Sequence, residues 1–227
     1  AMEFGGEGLR SLGIADRAAL CNLCVEAGAK TGLCEVDEMT LSYLKEQGRE
    51  PLAVLNPDAD ADYEEVFEID LSEICPIVAK PHFVDNVVPA EECSGIPIDE
   101  AFLGSCNNGR IEDFRVGAEL LRGRKVADSV RFLVVPASRA VYEEALREGL
   151  LKIFMDAGAI VMNPNCSVCW GSCQGVIGEG ETLISTGTRN FKGRSGHKDS
   201  YVYLASAATV TASAVKGEIC TAESLTR

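Results

Sequence analysis

From residue 99 onwards, short apolar runs alternate with amphipathic stretches of helical period. The runs lie at 101–104, 130–135, 159–162, 182–186 and 201–204, and the helical stretches lie at 111–121, 138–147, 150–157 and 206–217. Runs of this length are typical of buried strands, and Ser or Gly stands at several of the predicted helix ends. Strands that alternate with helices predict an α/β domain with a mostly parallel sheet and helices on both faces.

The first part of the chain is less regular. We predict a helix from Asp16 to Ala27 with Asp16 as its N-cap, and a second helix from 38 to 46 capped by Asp37. Residues 66–71 alternate between apolar and polar side chains, which predicts a half-buried strand. The chain begins abruptly with these elements, so we expect it to be part of a longer protein.

Four prolines between residues 76 and 98, with little periodicity, predict an ordered linker. The predicted organisation is therefore one domain at 1–75, a Pro-rich linker at 76–98 and a second domain at 99–227. A length of 227 residues is enough for two modest domains, each with its own core.

The charge and the cysteine content limit the classes of partner and cofactor that this chain could bind. The net charge is −14, from 35 acidic and 21 basic residues, which argues against nucleic acid as a partner because phosphate contacts need clustered Lys and Arg. No run approaches the roughly 20 apolar residues of a membrane span, and the N-terminus lacks the features of a signal peptide. We expect a cytoplasmic protein with no membrane partner, whose ten cysteines stay as thiols for metal binding or for the core.

Three thiols stand in loops that follow predicted strands: Cys106 in a Gly- and Asn-rich turn, and Cys166 with Cys169 in a Cys-x-x-Cys loop. Carboxyl ends of parallel strands meet at one edge of a sheet, so we expect these loops to lie together. Thiolates from two loops suit an iron–sulfur cluster, and a missing fourth thiol would leave one iron open for Lewis-acid chemistry. From the residues alone, Cys173 or a more distant cysteine remains a candidate for that position.

Other interpretations of these cysteines remain open or are disfavoured. A structural zinc site is disfavoured because the only histidines, His82 and His197, are not spaced as ligands. A redox dithiol remains a minority option, since Cys166 follows a strand. The pair Cys21 and Cys24 on the first helix has only one further cysteine nearby, so core thiols are the favoured interpretation.

Two further sets of polar residues have both a structural and a functional interpretation. The loop with Arg189, Lys192 and Arg194 is by itself a solvated basic loop, but beside a cluster it is suited to bind an acidic substrate. Asn22 and Glu26 are four residues apart and share one face of the predicted helix. An exposed stripe is the commoner case for such a pair, and a polar pair directed into a site is the alternative.

Four segments, in this order, resemble the aconitase superfamily: residues 21–29 (Cys-Asn-x-x-x-Glu-x-Gly-Ala), 104–110, 166–171 and 189–194. The resemblance covers essentially the whole chain, and within the superfamily the chain is most similar to large subunits of 3-isopropylmalate dehydratase, homoaconitase and 2,3-dimethylmalate dehydratase. It implies aconitase-like α/β/α layers and two of the three large-subunit domains of the family. Residues 1–75 would be the remainder of a middle domain, and residues 99–227 would be the cluster-bearing domain.

The resemblance also implies roles for individual residues. These are Cys106, Cys166 and Cys169 as ligands of a 4Fe–4S cluster, Asn22 and Glu26 as catalytic residues lining the site, and Arg189 and Arg194 as ligands of the substrate carboxylate. Because the family uses three thiols, Cys173 becomes a bystander and one iron is left for water and substrate. Two departures from the family pattern are Thr188, where Asn is frequent, and Asn107, where Thr is common.

The activity implied is that of a hydro-lyase that dehydrates and rehydrates a small 2-hydroxy di- or tricarboxylic acid. The most similar members interconvert 3-isopropylmalate and 2-isopropylmalate in leucine and other branched-chain amino acid biosynthesis, with a small swivelling subunit as partner. The His, Asp and Ser residues that assist this reaction in the family belong to parts outside these 227 residues, so we expect the chain alone to be inactive. The alternatives are a non-catalytic 4Fe–4S protein or cluster sensor and a sibling activity on another hydroxy acid.

Overall fold

The structure, a computed structural model, describes residues 1–225. The chain divides into two compact units, the first from Ala1 to Ile74 and the second beginning at Cys75.

The first unit contains a two-stranded parallel sheet and two helices: β1 (Met2–Phe4), α1 (Ile14–Leu23), β2 (Gly32–Cys34) and α2 (Glu38–Glu46). Helix α1 begins earlier than predicted, with Gly13 as N-cap, and the Asp16 carboxylate accepts a hydrogen bond from the Gly13 N–H at 2.9 Å. The predicted extension of this helix to Ala27 is wrong, because turns follow Leu23. The predicted cap of α2 is confirmed, since the Asp37 side chain accepts a hydrogen bond from the Thr40 N–H at 3.0 Å.

A buried arginine organises the polar interior of this unit. Arg17 is 4% exposed, and its two terminal nitrogens donate to the Asp37 carboxylate at 2.8 and 2.7 Å. The same guanidinium donates to the carbonyls of Leu9 and Leu12, both at 3.0 Å. Arg17 therefore ties the segment before α1 to the start of α2 and holds the pKa of Asp37 well below its usual range.

The strand predicted at 66–71 is wrong. Val66, Phe67 and Ile69 are 72%, 74% and 71% exposed and belong to no strand. Alternation of side chains predicts a strand only where a neighbouring strand supplies backbone partners, and none pairs with this segment in the described part of the chain.

The second unit is built on one seven-stranded sheet. Its strands are β3 (Ile77–Ala79), β4 (Val87–Pro89), β5 (Glu100–Leu103), β6 (Arg131–Val134), β7 (Ile160–Val161), β8 (Thr182–Ser185) and β9 (Tyr201–Leu204). Its helices are α3 (Ser105–Asn108), α4 (Ile111–Leu121), α5 (Arg139–Arg147), α6 (Leu150–Ala157) and α7 (Ala207–Lys216). The strand order is β4-β3-β9-β8-β5-β6-β7, and all neighbouring pairs from β9 to β7 are parallel. The predicted mixed α/β class with a mostly parallel sheet is confirmed.

The two faces of this sheet are covered differently. Ala101 and Leu103 of β5 belong to an apolar cluster to which α4, α5, α6 and α7 all contribute, whereas Phe102 belongs to a second cluster with Val168 and Ile177 from the segment between β7 and β8. The prediction of helices on both faces is therefore wrong, because α4 to α7 all pack on one face of the sheet. Within this unit, the irregular segment between β7 and β8 covers the other face. No helix in residues 1–225 is long and apolar enough to cross a membrane.

The segment interpreted from the sequence as a linker, 76–98, forms part of this sheet. Strand β3 pairs antiparallel with β4 and also with β9, where Ala79 lies opposite Leu204. These two strands were not predicted because each strand is only three residues long, which is too short to show a period. The prolines nearby favoured a linker instead.

Candidate functional site

The order of the strands creates a reversal point at β5. From β5 the chain proceeds outward through β6 to β7, then returns to the other side of β5 to form β8 and β9. In open α/β sheets, ligands bind beyond the carboxyl ends of the strands at such a point. Cys106 lies in the short helix α3, in the segment that follows β5, and Arg189 lies in the loop that follows β8, so both predicted site residues are beside this crevice.

Thr186 joins the two loops at the crevice. Its hydroxyl accepts a hydrogen bond from the Gly104 N–H at 2.9 Å and donates to the Gly104 carbonyl at 3.0 Å. Its own N–H donates to the Phe102 carbonyl at 3.0 Å, which continues the pairing of β5 with β8. Thr186 could not be identified as a site residue from the sequence, because a threonine at the end of an apolar run carries no local signal of a hydrogen bond to a residue 82 positions away.

A constrained turn presents Cys106. Ser105 has a φ of 82°, in the left-handed region, and its hydroxyl accepts hydrogen bonds from the N–H groups of Asn107 and Asn108 at 3.2 and 3.1 Å. Cys106 is exposed between buried neighbours. The Asn107 side chain is buried, and its Nδ2 has no hydrogen-bond partner within residues 1–225.

The loop that carries the other two cysteines reaches back from the sheet edge towards the centre. It follows β7 and contains a short 3-10 helix, Ser167–Cys169. Ser167 has a φ of 44°, its N–H donates to Asn165 Oδ1 at 2.6 Å, and its hydroxyl donates to the Gln174 carbonyl at 2.8 Å. Val168 is fully buried in the second apolar cluster, which includes side chains from β5, β6 and β8. Cys166 is exposed and Cys169 is half-buried.

Cys169 lies directly beside the loop that follows β8. A Cβ built on Gly187 would lie 3.7 Å from Cys169 Sγ. Arg194 Nε donates to the Cys169 carbonyl at 2.6 Å, and its guanidinium lies over the rings of Trp170 and Phe191, 5.2 and 5.4 Å from their centres. The loops after β5, β7 and β8 therefore meet, with Thr186 joining the first to the third and Arg194 joining the second to the third.

The loop after β8 is anchored on both sides. Arg189 is half-buried, and its Nη1 donates to the hydroxyl of buried Thr188 at 2.9 Å. Asn190 is 0% exposed, and its Nδ2 donates to the carbonyls of Lys80 and Val202 at 2.9 and 3.4 Å. Thr188, the departure from the family pattern, thus contacts the arginine predicted to bind substrate, and Asn190 holds the loop to the sheet.

A groove of about 740 Å³ runs beside the cysteine loop, which is within the size range of small-molecule sites. Residues 161–165, Tyr142, Cys173 and Gln174 line it. Cys173 is exposed in this groove, and the structure therefore places it near the Cys166 loop.

The donor set fits an iron–sulfur cluster better than a single metal ion. Among residues 1–225 no three His, Cys, Asp or Glu side chains are placed to hold one ion. In a 4Fe–4S cluster each cysteine binds a different iron, so its thiolates need not converge on one point. Cys106, Cys166 and Cys169 lie in segments that meet, and none of the three thiols is fully buried, so their chemistry fits such a ligand set. The unpartnered Asn107 Nδ2 next to Cys106 is the kind of donor that hydrogen-bonds to cluster sulfur.

The two remaining predicted site residues belong to the first unit. Asn22 is half-buried in α1, whereas Glu26 is exposed in the turns that follow the helix. The prediction that both share one helix face is wrong, because α1 ends at Leu23. Their roles in a site remain predictions.

Comparison with known proteins gives the family. The model of the Aconitase family (aconitate hydratase) matches residues 1–95 and 88–217. The chain belongs to the aconitase family. The resemblance found in the four sequence motifs is thereby confirmed.

Among curated relatives, the chain is 49% identical over 219 residues to the 3-isopropylmalate dehydratase large subunit 1 of Methanopyrus kandleri. It is 51% identical over 219 residues to the probable 3-isopropylmalate dehydratase large subunit of Methanothermobacter thermautotrophicus, and 48% identical over 224 residues to the 3-isopropylmalate dehydratase large subunit of Aquifex aeolicus. Each alignment covers 96% of this chain but 52% of the relative. The chain thus spans about half the length of the curated relatives it matches.

Proposed function

We propose that this chain supplies the cluster-binding and carboxylate-binding part of an aconitase-type hydro-lyase. The substrate is a small 2-hydroxy di- or tricarboxylic acid, and the reaction is the interconversion of 3-isopropylmalate and 2-isopropylmalate by loss and re-addition of water. The observation that carries the proposal is the meeting of the loops of Cys106, Cys166 and Cys169 with the arginine loop at the reversal point of the sheet. About 50% identity to 3-isopropylmalate dehydratase large subunits supports the choice of substrate.

The three cysteines would hold a 4Fe–4S cluster. When bound, a cluster with one iron not ligated by protein supplies a Lewis acid that weakens the carbon–oxygen bond of the departing hydroxyl. The constrained backbone at Ser105 and Ser167 fixes the directions of the adjacent thiols, so the ligand set is preorganised. Asn107 would donate a hydrogen bond to sulfur from its buried amide.

The arginines would bind and orient the substrate carboxylates. A guanidinium offers two parallel N–H groups to a carboxylate, which fixes orientation as well as adding binding energy. Thr188 orients Arg189 through the hydrogen bond at 2.9 Å. Arg194 contacts the Cys169 carbonyl through Nε at 2.6 Å, so the same side chain couples the position of the carboxylate to that of a ligand loop.

The remaining parts of the site are proposed from the family. Asn22 and Glu26 would line the active site as an amide and a carboxylate, as the family resemblance implies. Relatives named as large subunits imply a small-subunit partner, and this partner together with the other half of the relatives' length would complete the active site. We propose a cytoplasmic role in leucine biosynthesis for the assembled enzyme.

Ligand substitution tests the cluster. After anaerobic reconstitution with ferrous iron and sulfide, we expect the wild-type chain to show cluster absorption, and Cys106→Ser, Cys166→Ser and Cys169→Ser to lose most of it. Cys173→Ser is the matched control, since Cys173 is exposed in the neighbouring groove, and it should retain the cluster. Equal cluster content in all four variants would refute the ligand assignment.

Activity is tested on the assembled enzyme. The parent large subunit should be reconstituted anaerobically with its small subunit and assayed for interconversion of 2- and 3-isopropylmalate. Arg189→Lys should lower kcat/KM, because an ammonium group cannot replace the paired donors of the guanidinium. Absence of dehydration of any 2-hydroxy di- or tricarboxylic acid would refute the enzyme proposal.

A second candidate, a non-catalytic cluster protein or sensor, is supported by the position of Cys173 in the same groove as Asn163–Asn165. In that case Cys173 would be the fourth ligand. Mössbauer spectra with four equivalent, thiolate-ligated irons, and loss of the cluster in Cys173→Ser, would favour this candidate. A distinct iron site that shifts on addition of a hydroxy acid would favour the hydro-lyase.

A further inference from the structure

The first unit contains three thiols that the proposed cluster site does not use. Cys21 lies on α1 and Cys34 is the last residue of β2, and their Sγ atoms are 3.7 Å apart. Cys24 is buried, and its thiol donates to the Leu20 carbonyl at 3.3 Å. Cys21 and Cys34 therefore form a close pair, whereas Cys24 has a separate backbone partner on the same helix.

The backbones that carry this pair are in direct contact. A Cβ built on Gly32 would lie 2.7 Å from Cys21 Cα and 2.6 Å from Cys24 Sγ, so β2 passes against α1 with no room for a side chain. Cys34 is held in place because β2 pairs with β1, where Phe4 lies opposite Cys34. A disulfide requires close approach of the two backbones, and the contact of β2 with α1 brings the segments that carry Cys21 and Cys34 close together.

Burial makes Cys34 a poor nucleophile. Together with the neighbouring Cys21, burial raises the pKa of Cys34 to about 12, so Cys34 stays protonated at neutral pH, and its sulfur shares a hydrogen bond with the Cys21 sulfur. The thiolate form is the reactive nucleophile, so the raised pKa of Cys34 disfavours it as the first sulfur to attack. Both residues are partly accessible to a small oxidant, whereas Cys24 is only 2% exposed.

We propose that Cys21 and Cys34 form a peroxide-sensitive dithiol that closes to a reversible disulfide within the first unit. The Cys21 thiolate attacks one oxygen of hydrogen peroxide, the O–O bond breaks, and a sulfenic acid and hydroxide are formed. The Cys34 sulfur then attacks Cys21 Sγ, the S–O bond breaks, and the Cys34 proton leaves with the hydroxide as water. In sum, two thiols lose two electrons to peroxide and two waters are released, and an added dithiol reverses the reaction.

Disulfide formation would change α1 beside a proposed site residue. The two sulfur atoms must approach from 3.7 Å to about 2.05 Å, which rotates the Cys21 side chain and tethers the helix to β2. Asn22 follows Cys21 directly. The chemistry of the pair itself does not depend on the proposed dehydratase function, and it can be tested on the chain without a cluster.

Peptide mapping of the oxidised chain tests the proposal. A mixture of unlabelled and ¹⁵N-labelled chain is treated with hydrogen peroxide, unfolded in N-ethylmaleimide and digested with trypsin under non-reducing conditions. We expect the tryptic peptides 18–30 and 31–45 to be joined by a disulfide. Both peptides of a joined pair should carry the same nitrogen isotope, and the mass of the pair should be two hydrogens below the sum of the two peptide masses. Dithiothreitol should separate them and restore two alkylated thiols.

Two variants identify the sulfur atoms. Cys24→Ser removes the other cysteine of peptide 18–30 and should still form the linkage, which assigns it to Cys21. Cys34→Ser should form none and should instead accumulate a sulfenic acid at Cys21 that dimedone traps. Circular dichroism before oxidation checks that each variant is folded; if one is not, the cysteine of peptide 18–30 that is alkylated in the linked wild-type peptides shows which of Cys21 and Cys24 is bonded.

Three results would overturn the proposal. They are alkylation of both Cys21 and Cys34 after oxidation, a linkage between peptides of different isotopes, and loss of the linkage in a folded Cys24→Ser variant. Failure of the chain to bind a cluster would contradict only the proposed function, and failure to form the disulfide would contradict only this proposal. The two failures are therefore distinguishable.

Discussion

Glu100 offers the sharpest test of the electrostatics of this fold. It is the first residue of β5 and is 0% exposed. Its Oε2 accepts a hydrogen bond from Arg131 Nε at 3.0 Å, whereas Oε1 has no hydrogen-bond partner within residues 1–225. Burial raises the pKa of Glu100 from 4.5 to about 7, because the half-exposed Arg131 offsets only part of the cost of desolvating the carboxylate.

The direction of the pH effect follows from proton binding. Between about pH 4.5 and pH 7 the folded protein retains a proton on Glu100 that the unfolded chain has released. The stability that Glu100 contributes is therefore fully present below about pH 4.5 and is lost as the pH rises through about 7. A pKa difference of this size corresponds to about 3 kcal/mol of unfolding free energy.

We predict that Glu100→Gln removes this loss, because its amide does not titrate. The unfolding free energy of Glu100→Gln minus that of the wild type should become more positive by about 3 kcal/mol between about pH 4.5 and pH 8. Urea unfolding can follow the fluorescence of Trp170, the only tryptophan, which lies in the second unit.

Glu181→Gln is the matched control. Glu181 binds the same Arg131 at 2.8 Å, but this contact lowers its pKa. The stability it contributes is present above its ordinary pKa of 4.5 and is lost as the pH falls, so the difference for this variant should become more negative as the pH rises towards about 4.5 and should change little between about pH 4.5 and pH 8. A difference for Glu100→Gln that is independent of pH, or that has the sign of the Glu181 variant, would refute the reasoning.

Three further changes test the first unit and the loops. Arg17→Met leaves the Asp37 carboxylate at the start of α2 without its guanidinium partner, and we expect a loss of about 2 kcal/mol of unfolding free energy. Arg17→Lys should restore only part of this loss. Equal stability of Arg17→Met and wild type in a urea titration would contradict the expectation. Thr186→Val leaves the Gly104 N–H without its acceptor, which should cost about 2 kcal/mol and lower the iron retained after reconstitution, whereas Thr186→Ser should behave as wild type. Gly187→Ala places a methyl group 2.9 Å from Ser185 Oγ and 3.7 Å from Cys169 Sγ, and, if Cys169 binds the proposed cluster, iron analysis should show reduced cluster content; full content would show that the loop has room to adjust.

The ends of the helices in the second unit, unlike those of α1, were predictable from the sequence because their stabilising contacts are local. Ser138 Oγ accepts a hydrogen bond from the Val141 N–H at 3.3 Å, and Ser206 Oγ accepts one from the Thr209 N–H at 3.3 Å. Gly217, the predicted stop of the last helix, has a φ of 82°. Donor and acceptor in each cap lie three residues apart, so a short stretch of sequence contains the whole interaction.

Strand pairing was less predictable because each partner is distant in sequence. Strand β3 is three residues long and is stabilised beside β9, whose Leu204 lies opposite Ala79. Residues 66–71 show the reverse case, with a clear alternation but no neighbouring strand in the described chain. Side-chain period indicates which face of a strand would be buried, but it does not indicate whether a partner is present.

The geometry of the cysteine loops depends on the two residues inside the Cys-x-x-Cys motif, which the sequence analysis treated as spacers. The carboxyl ends of parallel strands were expected to share one edge, but β7 is separated from β5 by β6, a distance of about 10 Å. Val168 crosses this gap because it is buried in the cluster formed by β5, β6 and β8, and Ser167 allows the turn with its φ of 44°. A buried valine between the two cysteines thus helps to determine where both thiols lie. The spacing of the cysteines predicted a metal site, whereas the burial of the valine between them brings both cysteines towards the reversal point of the sheet.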